Sequence, residues 1–499
     1  MLAQIQKSLE KQRAFEPKGG GIMFVPSIHI KSTSNQELDL PAEIIEAFQT
    51  QLRGELVLPG DENYDEVRQL YNAMIDKRPA MVARCQDVAD VMASVAFARK
   101  NNLLVAVRGG GHNGPGLALA DDGLVVDLSA MKGIRVDPKK STARVEPGAV
   151  WRDVDHATHA FGLAAVSGII STTGVSGLTL GGGHGYLSRK YGLTIDNLLE
   201  ADVVLADGTM VTASADANSD LFWGIRGGGG NFGIVTSFLF QLHPVQTVYA
   251  GPMLWPMEKA KKILRWYRDF LPSAPEDLYG FFTFMTVPSG PPFPEHLHGR
   301  KVCGVVWSYT GPLDKVEEIF RPIREIDPPI LDLVGPMPYP VLQGLHDAIY
   351  PPGNQWYWKG DFVKELSDEA VKRHVEYGRQ LPTPQATMHL YPIDGAVHRV
   401  GKKDTAFSYR DVTWSEVIVG VDPDPANNER MIAWADAYWE ALHPFAADAG
   451  GGYVNFMMEE GQERVQATYQ ENHARLVEIK KQYDPDNFFH INQNIRPAG

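Results

Sequence analysis

The chain has 499 residues, 44% hydrophobic and 22% charged, which is long enough for two or more cores and too apolar for disorder. A formal net charge of −14, with no Lys/Arg cluster beyond short pairs, argues against nucleic acid as a partner. Cys85 and Cys303 alone make no disulfide framework, and no apolar run approaches the roughly 18 residues of a membrane-spanning helix, so no membrane partner is expected.

The first 53 residues hold a short amphipathic start, a Gly-rich break at Gly19 to Gly21 and the polar stretch KSTSNQELDLP. They read as an extension laid over the body. No continuous apolar segment marks a signal peptide, so a reducing, cytoplasmic setting is the expectation. From Gly54 the pattern tightens: Val88, Val91, Met92 and Val95 fall at helical spacing behind Asp87, a candidate N-cap. LLVAVRGGGHN then reads as a strand entering a glycine loop. GLVVDLSAMKGIRVDPKKSTARVEPGA reads as three short strands broken at Lys132-Gly133 and Asp137-Pro138. Val150, Val154, Ala157 and Phe161 predict a helical face ended by Gly162. The small residues of GIISTTGVSGLTLGGGHGYLSRKYGLTIDN predict loops rather than a regular element.

ADVVLADGTMVTA predicts two strands around an Asp207-Gly208 hairpin turn. Phe232, Ile234, Thr236, Phe238, Phe240 and Leu242 alternate as one face of a strand, and Pro244 closes this part. Beyond it, TMHLYPIDGAVHRV and DVTWSEVIVGVD read as strands, and LDKVEEIFRPI and NERMIAWADAYWEAL as amphipathic helices, which together predict a second, α+β domain with an antiparallel sheet. Near the end YVNFM reads as a strand. Val465, Tyr469, Asn472, Leu476, Ile479 and Tyr483 read as the stripe of one helix.

Three glycine runs stand out: RGGGHN (Arg108 to Asn113), LGGGHG (Leu180 to Gly185) and RGGGGN (Arg226 to Asn231). Glycine loses more freedom on ordering than any other residue, so such runs imply close approach to something, and bare amide N–H groups suit a phosphate. The dinucleotide-binding βαβ fingerprint requires a helix after the glycines, and RGGGHNGPGLALADDG continues into turns and strands instead. No phosphate-loop motif G-x-x-x-x-G-K-[ST] occurs. His112 and His184 lack metal-ligand spacing, so no metal is expected.

The series RGGGHN, GGGHGYLSRKYGLTIDN, RGGGGNFGIVTSF and terminal DPDNFFHINQNI resembles the FAD-linked oxidoreductases of the vanillyl-alcohol oxidase type, in their berberine-bridge-enzyme-like branch. The resemblance runs from about residue 54 to the C-terminus. It implies a two-domain, PCMH-type FAD-binding fold of the α+β class: a discontinuous flavin domain (54–247 and 448–499) around a substrate domain with an antiparallel sheet (248–447).

Carried over residue by residue, the resemblance places FAD against Arg108, Gly109, Gly110, Gly111, His112, Asn113 and Gly116. It adds Ser171, Thr172, Thr173, Gly174, Gly177, Gly182 and Gly185, then Asn231, Gly233, Ile234 and Val235, and at the end Asn492, Gln493 and Asn494. His112 matches the histidine that bonds to the flavin 8α-methyl, which raises the reduction potential and prevents cofactor loss. Ile170 stands where many members carry a second, cysteinyl link, so FAD is expected to be mono-covalent through His112. Thr173 falls at a position tied to oxygen access.

In this branch a hydride passes from substrate carbon to the flavin while a base takes the O–H or N–H proton. YVNF resembles the family's Y-x-N-Y strand, whose first tyrosine often takes the proton, which nominates Tyr453 as the base, with Asn455 beside it; Phe456 replaces the second tyrosine. A tyrosine needs a nearby cation or a coupled carboxylate to act as a base at neutral pH. Glu416, matching the branch's catalytic glutamate, is that expected partner. His389, Tyr391, Tyr409 and Trp358 are the expected substrate contacts, with Trp356 and Tyr357 in the same aromatic wall.

The activity implied is oxidation of a CH–OH group in an alcohol, sugar or hydroxylated natural product, with O2 reduced to H2O2. Oxidation of a CH–NH group, a dehydrogenase passing electrons to another acceptor, and a flavoprotein that binds without turnover are the alternatives. Oligomeric state stays open.

Overall fold

The structure, a computed structural model, describes residues 27–448 and 450–498. The amphipathic start and the break at Gly19 to Gly21 lie outside the described residues.

Residues 28–49 contribute a hairpin, β1 (Ile28–Lys31) and β2 (Glu37–Leu40), and the helix Ala42–Gln49. Ile30, Leu40, Ile45 and Phe48 are buried in one cluster with Met81, Val91, Val95 and Val126, and Phe48 stacks on Phe97 at 4.0 Å. Within the expected extension, four apolar side chains on one face of the hairpin and helix join the core, each burial worth about 1.5–3 kcal/mol.

A four-stranded sheet follows, ordered β3 (Glu55–Val57), β4 (Met81–Arg84), β6 (Leu124–Asp127), β5 (Val105–Arg108), with β4, β6 and β5 parallel. The helix Val88–Lys100 crosses over between β4 and β5. Its N-cap is Asp87, whose carboxylate accepts from the N–H groups of Ala89 and Asp90. A second sheet, five-stranded and antiparallel, runs β11 (Met210–Ser214), β10 (Leu198–Val204), β12 (Ile234–Gln241), β8 (Thr142–Val145), β7 (Ile134–Asp137). The expected hairpin at Asp207-Gly208 joins β10 to β11, with Gly208 at φ +85°. A two-residue pairing of β9 (Leu163–Ala164) with β13 (His243–Pro244) leads out of this region.

The third sheet holds β17 (Leu331–Asp332), β14 (Thr247–Pro256), β16 (Lys301–Tyr309), β15 (Leu278–Thr286), β20 (Thr387–Pro392), β21 (Trp414–Asp422) and β19 (Gln355–Val363) in that order, with β18 (Gly335–Pro338) also on β14, all antiparallel. Four helices, Ala260–Phe270, Val316–Glu325, Asp368–Gly378 and Asn428–Leu442, cover one face. Their Leu264, Tyr267, Phe320, Val371 and Tyr438 meet Phe282, Met388, Leu390, Trp414 and Ile418 of the sheet. The opposite face, with Phe281, Tyr391, Val417 and Val419, packs on Tyr71, Val166, Ile169 and Tyr186 of the preceding part. This is the α+β architecture with an antiparallel sheet that the sequence implies.

Four local expectations need correction. The segment after Gly168 is not wholly loop, since Val175–Leu180 forms a short helix with Gly174 as N-cap. Phe161 lies past the helix Trp151–His159 and is 52% exposed, because the turn at Thr158 to Gly162 rotates it off the buried face. YVNFM is no strand: Val454–Phe456 is a 3-10 turn, closed by the Phe456 N–H donating to the Tyr453 carbonyl at 2.7 Å. The C-terminal stripe belongs to two helices, Gln462–Tyr469 and Asn472–Tyr483, separated by Gln470 in the left-handed region at φ +47°.

Candidate active site

All three glycine runs converge on one cavity of about 360 Å³, lined also by β20, β21, β19 and the C-terminal segment. The first run leaves the C-terminal end of a parallel strand, where ligands of α/β sheets commonly bind. Its Gly110 lies directly against Gly174: a Cβ on Gly110 would sit 2.5 Å from the Gly174 Cα, and one on Gly174 would sit 2.6 Å from the Gly110 Cα. Only a pair of glycines allows two backbones this close. The backbone N–H groups from Gly109 to Asn113 find no acceptor among the described residues. Unpaired amides in series are costly unless something accepts from them, and such a run suits an anion.

The third run is strapped by the chain end. Asn231 Nδ2 donates to the Gln493 carbonyl at 3.2 Å, the Ile495 N–H donates to Asn231 Oδ1 at 2.9 Å, and Asn492 Nδ2 donates to the Gly230 carbonyl at 3.2 Å. Beneath them Lys480, fully buried, donates to the carbonyls of Asn231 (2.7 Å) and Phe489 (2.8 Å) and pairs with Asp484 at 2.6 Å.

Of the sequence-predicted cofactor residues, Gly109, Gly110, Gly111, His112, Asn113, Thr173, Gly174, Gly177, Asn231, Gly233, Ile234, Val235, Asn492 and Gln493 line the cavity. Arg108, Gly116, Ser171, Thr172, Gly182, Gly185 and Asn494 do not. Arg108 turns away to hold the Val67 carbonyl, and Ser171 donates to Asp347 at 2.5 Å. Gly116 and Gly185 are glycines for packing, since a Cβ would strike Ile75 or the Ser167 carbonyl.

His112 stacks on Tyr71 with ring centroids 3.7 Å apart, and its Nε2 is buried with no partner. Burial lowers the imidazole to about 4, so it is neutral and carries a lone pair at ordinary pH. Tyr71 and Asn72, missed in the sequence, brace this corner. The Tyr71 N–H donates to the Gly111 carbonyl at 3.1 Å. Asn72 donates to the carbonyls of Gly114 (2.8 Å) and Trp356 (3.0 Å) and accepts from the Trp356 N–H at 3.0 Å. No periodic signal marks them, because they sit in an irregular segment.

The far wall comes from the large sheet. Strand alternation puts Trp356 and Trp358 of β19, Thr387, His389 and Tyr391 of β20, and Val417 and Val419 of β21 on the cavity. Tyr357 falls on the other face and donates to Asp436 at 2.8 Å, which removes it from the expected aromatic wall. His389 Nδ1 lies 2.5 Å from the Tyr391 hydroxyl. Tyr453 and Asn455 reach over the second run, where the Tyr453 oxygen accepts from the Gly183 N–H and from Asn455 Nδ2, each at 2.8 Å. Burial raises the Tyr453 phenol to about 12 despite those two donors.

Two expected residues are corrected. Glu416, 2% exposed, is one residue out of phase with Val417 and Val419 and therefore faces the helix layer, 3.5 Å from His374 Nε2. It cannot reach the cavity or assist Tyr453. Tyr409 stacks on Phe362 at 4.3 Å and donates to the Ala467 carbonyl at 3.2 Å, away from the cavity. Alternation along DVTWSEVIVGVD separates Glu416 from Val417, but every residue of β21 is buried, so burial alone names no face. Among the described residues no Asp, Glu, Lys or Arg lines the cavity, and no cluster of His, Cys, Asp or Glu suits a metal ion.

The comparisons agree with this geometry. The FAD binding domain model matches residues 79–214, and the model described as "Berberine and berberine like" matches 452–496. An uncharacterised FAD-linked oxidoreductase of Bacillus subtilis is 30% identical over 457 residues, which is 90% of this chain and 98% of that protein. (R)-6-hydroxynicotine oxidase of Paenarthrobacter nicotinovorans is 29% identical over 474 residues, 90% of this chain and 98% of that protein. The crystal structure of 6-hydroxy-D-nicotine oxidase from Arthrobacter nicotinovorans superposes with a TM-score of 0.81 at 27% identity, covering 90% of this chain and 98% of that one. No helix among the described residues is long and apolar enough to cross a membrane. With the glycine cradle, the aromatic wall and these relatives together, the chain belongs to the FAD-linked oxidoreductases, in their berberine-bridge-enzyme-like branch.

Proposed function

We propose that this protein is an FAD-dependent oxidase acting on a CH–OH group of an uncharged small molecule, with O2 as acceptor and H2O2 as product. The observation that supports this best is the two-sided cavity: free amides on one wall and, on the other, an aromatic and aliphatic surface with a single His–Tyr pair. A phosphate-bearing cofactor fits the first wall. Tyr350, Trp356, Trp358 and Val419 favour a substrate with a flat or apolar body over an ionised one, since a charge buried without a partner is costly.

When bound, FAD supplies the two-electron acceptor for the hydride. The amides of Gly109 to Asn113 hold its pyrophosphate, and His112, neutral and unpartnered at Nε2, provides the single covalent link; Ile170 lines the cavity where a cysteinyl link would otherwise form. Tyr453 enters as a phenol. Its oxygen already accepts two hydrogen bonds, so its own proton is free to be donated to the reacting group, and Asn455 fixes its orientation.

A CH–NH substrate is the second reading, favoured by the likeness to (R)-6-hydroxynicotine oxidase, an amine being bound in its neutral form. The deciding experiment is anaerobic bleaching of the flavin absorbance with alcohols, sugars and cyclic amines, followed by readmission of air. Bleaching by alcohols with rapid recovery is the expected result. Bleaching by amines alone selects the second reading, and recovery only with an added acceptor replaces the oxidase with a dehydrogenase. Acid precipitation tests the covalent link, which is refuted if the flavin stays in solution.

A further inference from the structure

We propose that His389, oriented by Tyr391, is the base that takes the substrate's hydroxyl proton, so that the proton leaves on the sheet side of the cavity while Tyr453 acts as a donor. This rests on the oxidation of a CH–OH group argued above.

The choice of acceptor is narrow, because among the described residues no carboxylate and no amine lines the cavity. The phenols are poor candidates: burial raises Tyr71, Tyr350, Tyr391 and Tyr453 above the ordinary tyrosine value. Three imidazoles remain. His112 belongs to the first glycine run and is committed to the cofactor. His184 lies between Tyr391 and Tyr453, at centroid distances of 5.1 and 4.7 Å, but neither of its nitrogens has a partner, so nothing fixes its tautomer.

His389 alone has an orienting partner. Its Nδ1 is 2.5 Å from the Tyr391 hydroxyl on the same strand face, the base–orienter arrangement that proton-transfer sites require. With Nδ1–H donating to the Tyr391 oxygen, Nε2 keeps its lone pair. Around it lie Phe281, whose ring is 4.8 Å away, Val417 directly across the ladder, and the ring of His346 at 6.4 Å. None carries a charge; burial holds His389 neutral, so its lone pair is present at ordinary pH, and the same burial disfavours the imidazolium, so the proton it takes is passed on rather than kept.

The step balances. The substrate O–H bond breaks and an Nε2–H bond forms; the C–H hydrogen leaves with its electron pair to the cofactor, and the carbon is left as C=O. O2 takes up the hydride's hydrogen and electrons together with the proton returned by His389, which gives H2O2 and restores the imidazole.

Two measurements test this. On flavin-loaded protein labelled with ¹⁵N-histidine, with His389→Gln to assign the signals, the ring of His389 should show Nδ1 protonated and Nε2 bare. An Nε2–H tautomer overturns the proposal whatever the substrate is. In anaerobic mixing, His389→Ala should bleach about 10²–10⁴-fold more slowly than the wild type with unchanged flavin content. Added imidazole should restore part of the rate, as it would not for a packing defect. A loss below about threefold, or imidazole rescue in His184→Ala instead, overturns the assignment. A wild type that no CH–OH donor bleaches sinks the proposed function, and the tautomer measurement still decides whether His389 can serve as a base.

Discussion

Replacing Gly110 with Ala tests the cradle at its narrowest point. The new methyl would lie 2.5 Å from the Gly174 Cα and 2.7 Å from its nitrogen, both backbone atoms that cannot rotate away. Carbon atoms pack best at about 3.5–4.0 Å, so the two segments must part by roughly 1 Å. Overpacking of this kind costs about 1–3 kcal/mol. At about 1 °C per kcal/mol for a chain of 499 residues, that lowers Tm by roughly 1–3 °C, measured on flavin-free protein so that cofactor binding does not mask it. The same displacement moves the free amides of Gly109 to Asn113, so flavin content, read from the ratio of visible to ultraviolet absorbance, should fall with it. Gly230→Ala is the matched control. It lines the cavity, but its methyl meets nothing within 4 Å, so flavin-free Tm should hold while flavin content drops. A Gly110→Ala protein with wild-type Tm and full flavin content would refute the reasoning, because the contact that demands two glycines would then be absent.

Glu416→Gln should leave the rate of flavin bleaching within about twofold, far from the 10²–10⁴ of a lost acid or base, since the carboxyl sits behind the sheet beside His374; a hundredfold loss would return it to the active site. Asp155 is buried with both oxygens unpartnered, and burial raises it to about 8. Its folded value exceeds the unfolded one near 4, so the folded state binds more protons and loses stability as pH rises from about 4 to about 8. Asp155→Asn should therefore raise Tm more at pH 8 than at pH 5, and an equal gain at both would contradict this. Lys480→Met leaves the buried Asp484 without its cation, held only by the N–H groups of Phe488 and Phe489, at a cost of up to about 3 kcal/mol, and frees the third glycine run, so Tm and flavin retention should fall together; retention unchanged at reduced Tm would show the strap to be purely structural.

How much of the site was legible depends on the range of the interaction that sets it. Strand β12, the turn at Gly208 and the N-cap at Asp87 rest on neighbours a few residues apart, and the chain carries those signals locally. The glycine runs announced a close approach, seen at Gly110 against Gly174, and the motif series named the family and its cofactor. TMHLYPIDGAVHRV and DVTWSEVIVGVD were legible as strands, and a period of two gives each of them two faces.

Which of those faces meets the cavity was decided by what covers the sheet. Four helices take the side of Glu416, Tyr357 and Leu390, and the glycine-rich part takes the side of Val417, Trp356 and His389. Both sides of β21 are buried, so no polarity pattern distinguishes them. The same holds for Tyr71 and Asn72, whose partners Gly111, Gly114 and Trp356 lie about 40 and 280 residues away. A sequence fixes short-range geometry through backbone sterics and side-chain period. It fixes long-range juxtaposition only through the packing of whole elements, and here that packing turned three glycine runs and one sheet face into a single site.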